Sequence, residues 1–159
     1  MTEKDYSGTP LWKKLGIREE SRVVVSGAPK GFAGSLGALP AGATVSQRVS
    51  GRADVIVVFA VERSKLEARF PAAVRALEWD GGLWLCWPKK ASKVGTDLTF
   101  DVVQGLGLGA GLVDNKSASI DDVFQGMRFV YRLKDRPGSP SAASRPVRAR
   151  SRTIRPGRR

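Results

Sequence analysis

Short apolar runs alternate with polar and glycine-rich segments along most of the chain. Residues 54–61 and 83–87 are almost continuously apolar, which is typical of strands covered on both faces of a parallel sheet. Residues 22–27 form a third apolar run, and residues 43–49 alternate apolar and polar positions, as a half-exposed strand does. The pattern therefore predicts four strands in the first part of the chain.

The clearest helical periodicity lies between the third and fourth of these strands. Ser64 and Glu67 match an S-x-x-E capping box at its start, Pro71 predicts a kink or a restart, and the DGG sequence at residues 80–82 predicts its end. The apolar face of this helix consists of Leu66, Phe70, Ala73, Val74 and Leu77.

Two shorter helices are predicted on either side of this region. The sequence TPLWKKLG near the start has a Thr-Pro beginning and apolar residues at helical spacing. Thr96 or Asp97 is predicted to cap the other helix, and the glycines at positions 105, 107, 109 and 111 to end it. The apolar face of that second helix consists of Leu98, Val102 and Leu106.

Residues 112–120 and 126–133 predict two further strands. Only five residues separate them, which is too few for a parallel crossover, so the pair is expected to be antiparallel. Strands that alternate with helices predict an α/β fold with three layers. We expect a Rossmann-like, mostly parallel sheet with an antiparallel strand near the C-terminal end. Residues 1–21 would form an N-terminal arm with a short helix, and residues 22–133 the Rossmann-like domain.

Positive charge is concentrated at the C-terminal end of the chain. The net charge is +12, and residues 134–159 account for +8 of it, with nine basic residues and one acidic residue. Proline, glycine, serine and arginine dominate this segment, so it cannot bury enough apolar surface to offset its ordering entropy. The sequence predicts a disordered basic tail. Such a chain binds phosphates without sequence preference, and no aromatic residue is present to stack on bases. The candidate contacts with nucleic acid are Arg145, Arg148, Arg150, Arg152, Arg155, Arg158 and Arg159.

Several classes of protein are excluded by composition. The chain has no histidine and one cysteine, Cys86, so zinc sites and catalytic triads lack their usual residues. The longest apolar run, residues 55–61, is too short to span a membrane, and the first ten residues do not resemble a signal peptide. A single thiol between Leu85 and Trp87 is expected to be buried, which suits a reducing cytoplasm.

The loop after the fourth strand is the first candidate ligand site. Ligands of open α/β sheets bind where the parallel strands end, and Lys89, Lys90 and Lys93 follow such a strand. Thr96 and Asp97 stand at the predicted start of the next helix, where backbone N–H groups attract a phosphate or carboxylate. The alternative is a loop of solvated lysines, which an Asp97 that competes with a bound anion would favour.

The loop after the first strand is the second candidate. Its sequence, GAPKGF, contains Gly27, Lys30 and Gly31. It lacks the ending of a P-loop and the G-x-G-x-x-G spacing of dinucleotide-binding loops. Its glycines are explained as well by a tight turn between strand and helix.

Five segments of the chain resemble a family of small bacterial proteins, the domain of unknown function 3052. The segments are YSGTPLWKKLGI, DVIVVFAVERSKLEARFPA, GGLWLCWPKKASKVGTDLT, GLVDNKSASID and GMRFVYRL. The resemblance covers residues 6–133, leaves out the basic tail, and implies no established activity.

More distantly, the order of elements is similar to the second half of class I methyltransferases. Those enzymes carry a glycine-rich cofactor loop after the first strand and an acidic residue at the end of the second. Here the loop is SGAPKGF, and the second predicted strand ends in Arg48 and Val49.

Three functions are consistent with the sequence. The first is a non-catalytic binding or regulatory module with a small anionic ligand at the carboxyl edge of the sheet. The second is a reduced enzyme of the methyltransferase type, and the third is a nucleic-acid accessory protein that acts through the tail. The sequence identifies neither a cofactor nor an oligomeric state, and it predicts no contact with a membrane.

Overall fold

The computed structural model describes residues 9–137 and contains the predicted alternation of strands and helices. The helices are α1 (Leu11–Lys14), α2 (Phe32–Leu36), α3 (Arg63–Ala76) and α4 (Phe100–Gly109). The strands are β1 (Arg22–Ser26), β2 (Thr44–Ser46), β3 (Ala53–Phe59), β4 (Leu77–Pro88), β5 (Leu112–Ser119) and β6 (Phe124–Tyr131). Short 3-10 turns follow β4 and β6, at Lys90–Ser92 and Leu133–Asp135.

The six strands form one sheet in the order β2-β1-β3-β4-β6-β5. β1 pairs in parallel with β2 and β3, and β3 with β4, whereas β6 runs antiparallel to both β4 and β5. The Rossmann-like fold class is therefore confirmed, with one reversed strand near the C-terminal end. Because the chain turns outward from β1 to β2 and then crosses back to β3, the strand order reverses between β1 and β3, where ligands of such sheets bind.

Helices cover both faces of the sheet and give the three predicted layers. On one face α3 and α4 bury Leu66, Phe70 and Val103 against the sheet. On the other face α1 and α2 lie over Trp84 and Cys86. The indole Nε1 of Trp84 donates to the backbone oxygen of Leu15 at 3.0 Å, in the interior. The N-terminal helix is thereby joined directly to the centre of the sheet.

We expected the DGG sequence to end helix α3, and this prediction is wrong. That helix ends at Ala76, and β4 begins at once with Leu77 and continues for 12 residues. A Cβ on Gly81 would lie 2.6 Å from the carbonyl oxygen of Asp54, and one on Gly82 would lie 2.4 Å from Nε of Arg128. These glycines allow close packing inside a strand, and a turn is not their role.

The starts of the two longer helices also differ from the prediction. α3 begins at Arg63 without a side-chain cap, so the Ser64–Glu67 capping box is absent, and the helix continues through Pro71. α4 is capped by Thr99, whose hydroxyl accepts from the backbone N–H of Val102 at 3.2 Å. Neither Thr96 nor Asp97 caps it, and three of the four glycines expected to end it lie inside it.

The described fold continues to Pro137, beyond the domain boundary that we expected at Leu133. Asp135 is buried, and Arg136 donates from Nε and Nη2 to the carbonyl oxygen of Tyr131 at 3.2 and 3.1 Å. These contacts fix the segment after β6 against the end of that strand. The tail arginines from Arg145 to Arg159 lie outside the described residues. Within residues 9–137, no helix combines the length and apolar character that crossing a membrane requires.

Candidate functional site

Both candidate loops lie at the edge of the sheet where β1, β3 and β4 end. The pairing of Ser26 with Val58 and of Phe59 with Cys86 places these strand ends side by side. The loop at residues 27–31 follows β1, and the loop at residues 89–97 follows β4. The parallel register therefore brings the two predicted sets of residues to one edge, as the sequence indicated.

Hydrogen bonds connect the loop at residues 89–97 to neighbouring parts of the fold. The Lys89 ammonium donates to Oγ of Ser119 at 2.7 Å, and the Lys89 backbone N–H donates to Val123 at 2.7 Å. The Thr96 hydroxyl donates to the carbonyl oxygen of Val61. The Asp97 carboxylate accepts from the backbone N–H of Arg63 at 2.7 Å. Three of the five predicted ligand residues here thus bind the protein itself.

The two remaining lysines of this loop are exposed to solvent. Lys90 lies in the 3-10 turn, and Lys93 ends that turn in the left-handed region with a φ of 64°. Neither lines the cavity described next. Their arrangement is that of a solvated loop, which is the alternative that the sequence left open.

The loop after β1 borders a cavity of about 500 Å³, here called the carboxyl-edge cavity. Gly27, Lys30 and Gly31, all candidates from the sequence, lie in its wall. The rest of the wall is mostly apolar and includes Val25, Phe32, Leu36, Val45 and the polar Gln47. The Phe32 ring packs edge-on against Phe59 with 4.9 Å between centroids, which fixes the loop over the end of the sheet.

Arg69 adds a cation at the point where the strand order reverses. Its Nη1 donates to the carbonyl oxygen of Phe59, the last residue of β3, at 2.6 Å. A Cβ on Gly27 would lie 2.5 Å from the same nitrogen, so the guanidinium occupies the place of a side chain at that position. Gly27 also has a φ of +72°, which favours glycine. The turn after β1 thus requires glycine both for its backbone conformation and for the passage of Arg69.

Sequence reasoning did not identify Arg69. It stands beside Phe70 on α3 and has the pattern of an outward-facing helix residue. The side chain reaches back over the end of the sheet, and no spacing along the chain indicates this. The half-buried guanidinium makes one hydrogen bond, and its other N–H groups have no partner among residues 9–137.

The thiol of Cys86 offers no nucleophile at this edge. It is buried in β4, and burial raises its pKa far above the usual range, with a smaller contribution from the negative charge of Asp121. A protonated, enclosed thiol is chemically inert. Among the described residues, no group of three or more acidic or cysteine side chains is placed to hold a metal ion.

No family model and no curated protein matches the sequence. Among solved structures, the chain is similar to one in a fibrillarin/Nop5p complex, with a TM-score of 0.47 and 11% identity over 71% of this chain and 73% of that chain. It is also similar to LepI in complex with SAM (TM-score 0.47, 13% identity, 83% of this chain). LepI with SAH and a substrate analogue gives a TM-score of 0.47 and 14% identity. The chain spans 49% of LepI. This likeness concerns the fold alone.

Proposed function

We propose that this protein is a non-catalytic binding or regulatory module that takes a small anionic ligand in the carboxyl-edge cavity. The observation that supports the proposal is the position of Arg69 beside Gly27. At the reversal of strand order, Arg69 has donors that no residue among 9–137 uses. Such a guanidinium suits a phosphate or carboxylate, which it can bind through two parallel N–H groups. Lys30 is the cation in the cavity wall itself, and Arg69 lies behind that wall, against Gly27.

The shape and polarity of the cavity narrow the class of ligand. Its wall is mainly apolar, with few polar groups, as is usual for small-molecule sites. A ligand with a flat or apolar body and one phosphate or carboxylate fits a cavity of this composition. Nucleotides are the first class to test, with the base against Phe32 and Val45 and the phosphate toward Arg69.

A reduced methyltransferase-like enzyme is the second candidate. The observation in its favour is the location of the cavity beside the loop after β1, which is the cofactor loop in the methyltransferases that the chain resembles. Two features oppose it. Gln47 and Arg48 follow the end of β2, where those enzymes have an acid. Arg69 would also repel the cationic sulfonium of an adenosyl donor.

Origin and compartment belong to the same proposal. The segments quoted above resemble the domain of unknown function 3052 family, and on that resemblance we propose a bacterial origin. The single buried thiol fits a reducing cytoplasm.

Isothermal titration and thermal shift tests of the full chain with ATP, ADP, inorganic phosphate, SAM and SAH separate the two candidates. We expect a nucleotide to bind more tightly than SAM. Arg69→Met should weaken that binding about tenfold or more, because a charge-assisted hydrogen bond to the ligand is lost. Lys30→Ala should weaken it less, since Lys30 is exposed.

Lys90→Ala and Lys93→Ala are the matched controls, because they remove exposed lysines from the other loop at the same edge. They should leave binding unchanged. A loss of binding in these variants would move the site to residues 89–97 and contradict the proposal. A higher affinity for SAM than for any nucleotide would favour the reduced methyltransferase-like enzyme. If none of these compounds binds, the anionic-ligand proposal fails for the nucleotide class.

A further inference from the structure

A second cavity lies at the opposite edge of the sheet, where the parallel strands begin. Its volume is about 700 Å³, and we call it the amino-edge cavity. Asp54 and Val55, at the start of β3, form one side of it, and Trp12 and Ile17 of the N-terminal region form another. Neither the strand-end rule for α/β sheets nor any sequence motif indicates a site at this edge.

Arg128 of β6 is one of three cations that line the amino-edge cavity, with Lys13 and Arg18. Its guanidinium crosses the backbone of β4 at Gly82, where a Cβ would lie 2.4 Å from Nε, and its Nη2 lies 3.9 Å from the place of a Cβ on Gly16. The side chain is half-buried and has no hydrogen bond or ion pair with the residues that the structure describes. Gly82 thus makes room for a guanidinium whose donors are not used by any of residues 9–137.

The charges around Arg128 increase the advantage of a bound anion. Burial lowers the pKa of Arg128, and the positive charges of Arg136 and Arg18 lower it further. The group nevertheless stays charged near neutral pH, because arginine titrates far above it. A half-buried charge that faces like charges and lacks a partner is unfavourable, and an oxyanion in the cavity would offset that cost.

Carboxylates line the same cavity and limit what the ligand can be. Glu19, Asp54 and Asp80 all line it, and none of the three forms an ion pair with Arg128. One carboxylate oxygen of Asp54 already accepts a hydrogen bond from the backbone N–H of Arg22 at 2.8 Å. Asp80 is exposed. A purely anionic ligand would be attracted by Arg128 and repelled by these acids, whereas a ligand with both charges would satisfy both.

We infer that the amino-edge cavity binds a free amino acid or a similar small zwitterion. Its carboxylate would pair with the Arg128 guanidinium and its ammonium group with Asp80. Its side chain would lie against Trp12, Ile17 and Pro40, which form the apolar part of the wall. The site lies on the other edge of the sheet from the carboxyl-edge cavity, so either proposal can fail without the other.

The test is a thermal shift and titration series on the full chain with the common L-amino acids at millimolar concentration. Each amino acid that binds is compared with its amine, which lacks the carboxylate, and with its acid, which lacks the ammonium group. Phenylalanine, phenethylamine and 3-phenylpropanoate form one such set. We expect at least one amino acid to bind, and both of its analogues to bind about tenfold more weakly or worse.

Variants assign the two charges of the ligand to the protein. Arg128→Met should abolish binding of the amino acid without lowering the melting temperature of the free protein, because it removes a cation that no described residue pairs with and keeps an apolar stem. Asp80→Asn should remove most of the preference for the amino acid over its acid. Arg132→Gln, which changes an exposed arginine just beyond β6 outside this cavity, should change neither property.

Three results would overturn the inference. The first is the absence of any shift across the amino acids. The second is retained binding in Arg128→Met, or binding of inorganic phosphate in place of every amino acid. The third is a lower melting temperature in both Arg128→Met and Arg128→Lys, which would make Arg128 a structural residue.

Discussion

Several glycines of this protein stand where a neighbouring group already fills the volume of a side chain. A Cβ on Gly107 of α4 would lie 2.0 Å from the ring of Phe129, which is fully buried in β6. Gly27 makes room for Arg69 in the same way, and Gly82 for Arg128. At this scale the sequence is ambiguous, because a packing glycine and a turn glycine look alike. The glycines at positions 105, 107 and 109 therefore suggest the end of a helix in the sequence, although all three lie inside α4.

Gly107→Ala is expected to destabilise the protein by about 1–3 kcal/mol, the usual range for overpacking a core. The added methyl group would force either the Phe129 ring or the α4 backbone to move. The measurement is the free energy of unfolding in urea, compared with the wild type.

Gly105→Ala is the matched control on the same helix, since a Cβ there would meet no atom within 4 Å. It should stabilise the protein by about 0.5–1 kcal/mol, because alanine has the higher helix propensity. If both variants changed stability in the same direction, close packing at Gly107 would not be the reason for its glycine.

At the level of elements, the loop at residues 89–97 connects parts of the fold that are distant in sequence. Asp97 accepts from the first residue of α3, Arg63, and so satisfies one of the free N–H groups at that helix start. Thr96 donates to Val61 and accepts from the N–H of Leu98. The loop after β4 thereby holds the start of α3.

Asp97→Ala should cost about 1 kcal/mol of stability, as the loss of a helix cap usually does. Asp97→Asn should lower the stability by only a few tenths of a kcal/mol, because the amide oxygen still accepts from the backbone N–H of Arg63. The measurement is the free energy of unfolding in urea for each of the two variants, compared with the wild type.

Asp122→Ala, which removes an exposed acid between β5 and β6, controls for the change in net charge. It should have little effect. Equal losses in Asp97→Ala and Asp97→Asn would show that the charge matters and the hydrogen bond does not.

The order and direction of the strands could be predicted, and the bounds of several elements could not. Continuous apolar runs identify β3 and the buried half of β4, and the short connection between β5 and β6 requires an antiparallel pair. The first half of β4 was missed because Leu77 also fits the apolar face of α3 and the following DGG sequence suggests a turn. Residues 81 and 82 are glycines of a strand because Asp54 lies close to Gly81 and Arg128 lies close to Gly82. These contacts exist only in the folded sheet, so the sequence does not show them.

Within residues 9–137, two half-buried arginines lie at opposite edges of one sheet. Arg69 lies at the carboxyl edge and Arg128 at the amino edge, each beside a glycine that admits it. General knowledge of α/β sheets predicts the first edge, and with it Gly27, Lys30 and Gly31. It does not predict the arginines, because their positions depend on contacts between α3 and β3 and between β6 and β4.

The last prediction concerns the basic tail and compares the full chain with a protein that ends at Pro137. This end keeps Asp135 and Arg136, which pack on β6, and it removes seven arginines and no acid, so the net charge falls from +12 to +5. The shorter protein should unfold as cooperatively as the full chain. If the tail binds nucleic acid, it should do so through phosphates alone, since it has no aromatic residue to stack on bases.

Fluorescence anisotropy with duplex and single-stranded probes over a salt series measures this contribution. On duplex DNA the log–log salt slope should be about −0.9 for each phosphate contact, so binding detectable at about 50 mM salt should weaken by orders of magnitude near 200 mM. The protein that ends at Pro137 should bind far less at every salt concentration. Equal binding by the two proteins would place the interface on the folded domain. Binding that resists salt and prefers one sequence would exclude the tail as its cause, because counterion release is the only source of affinity that such a segment offers.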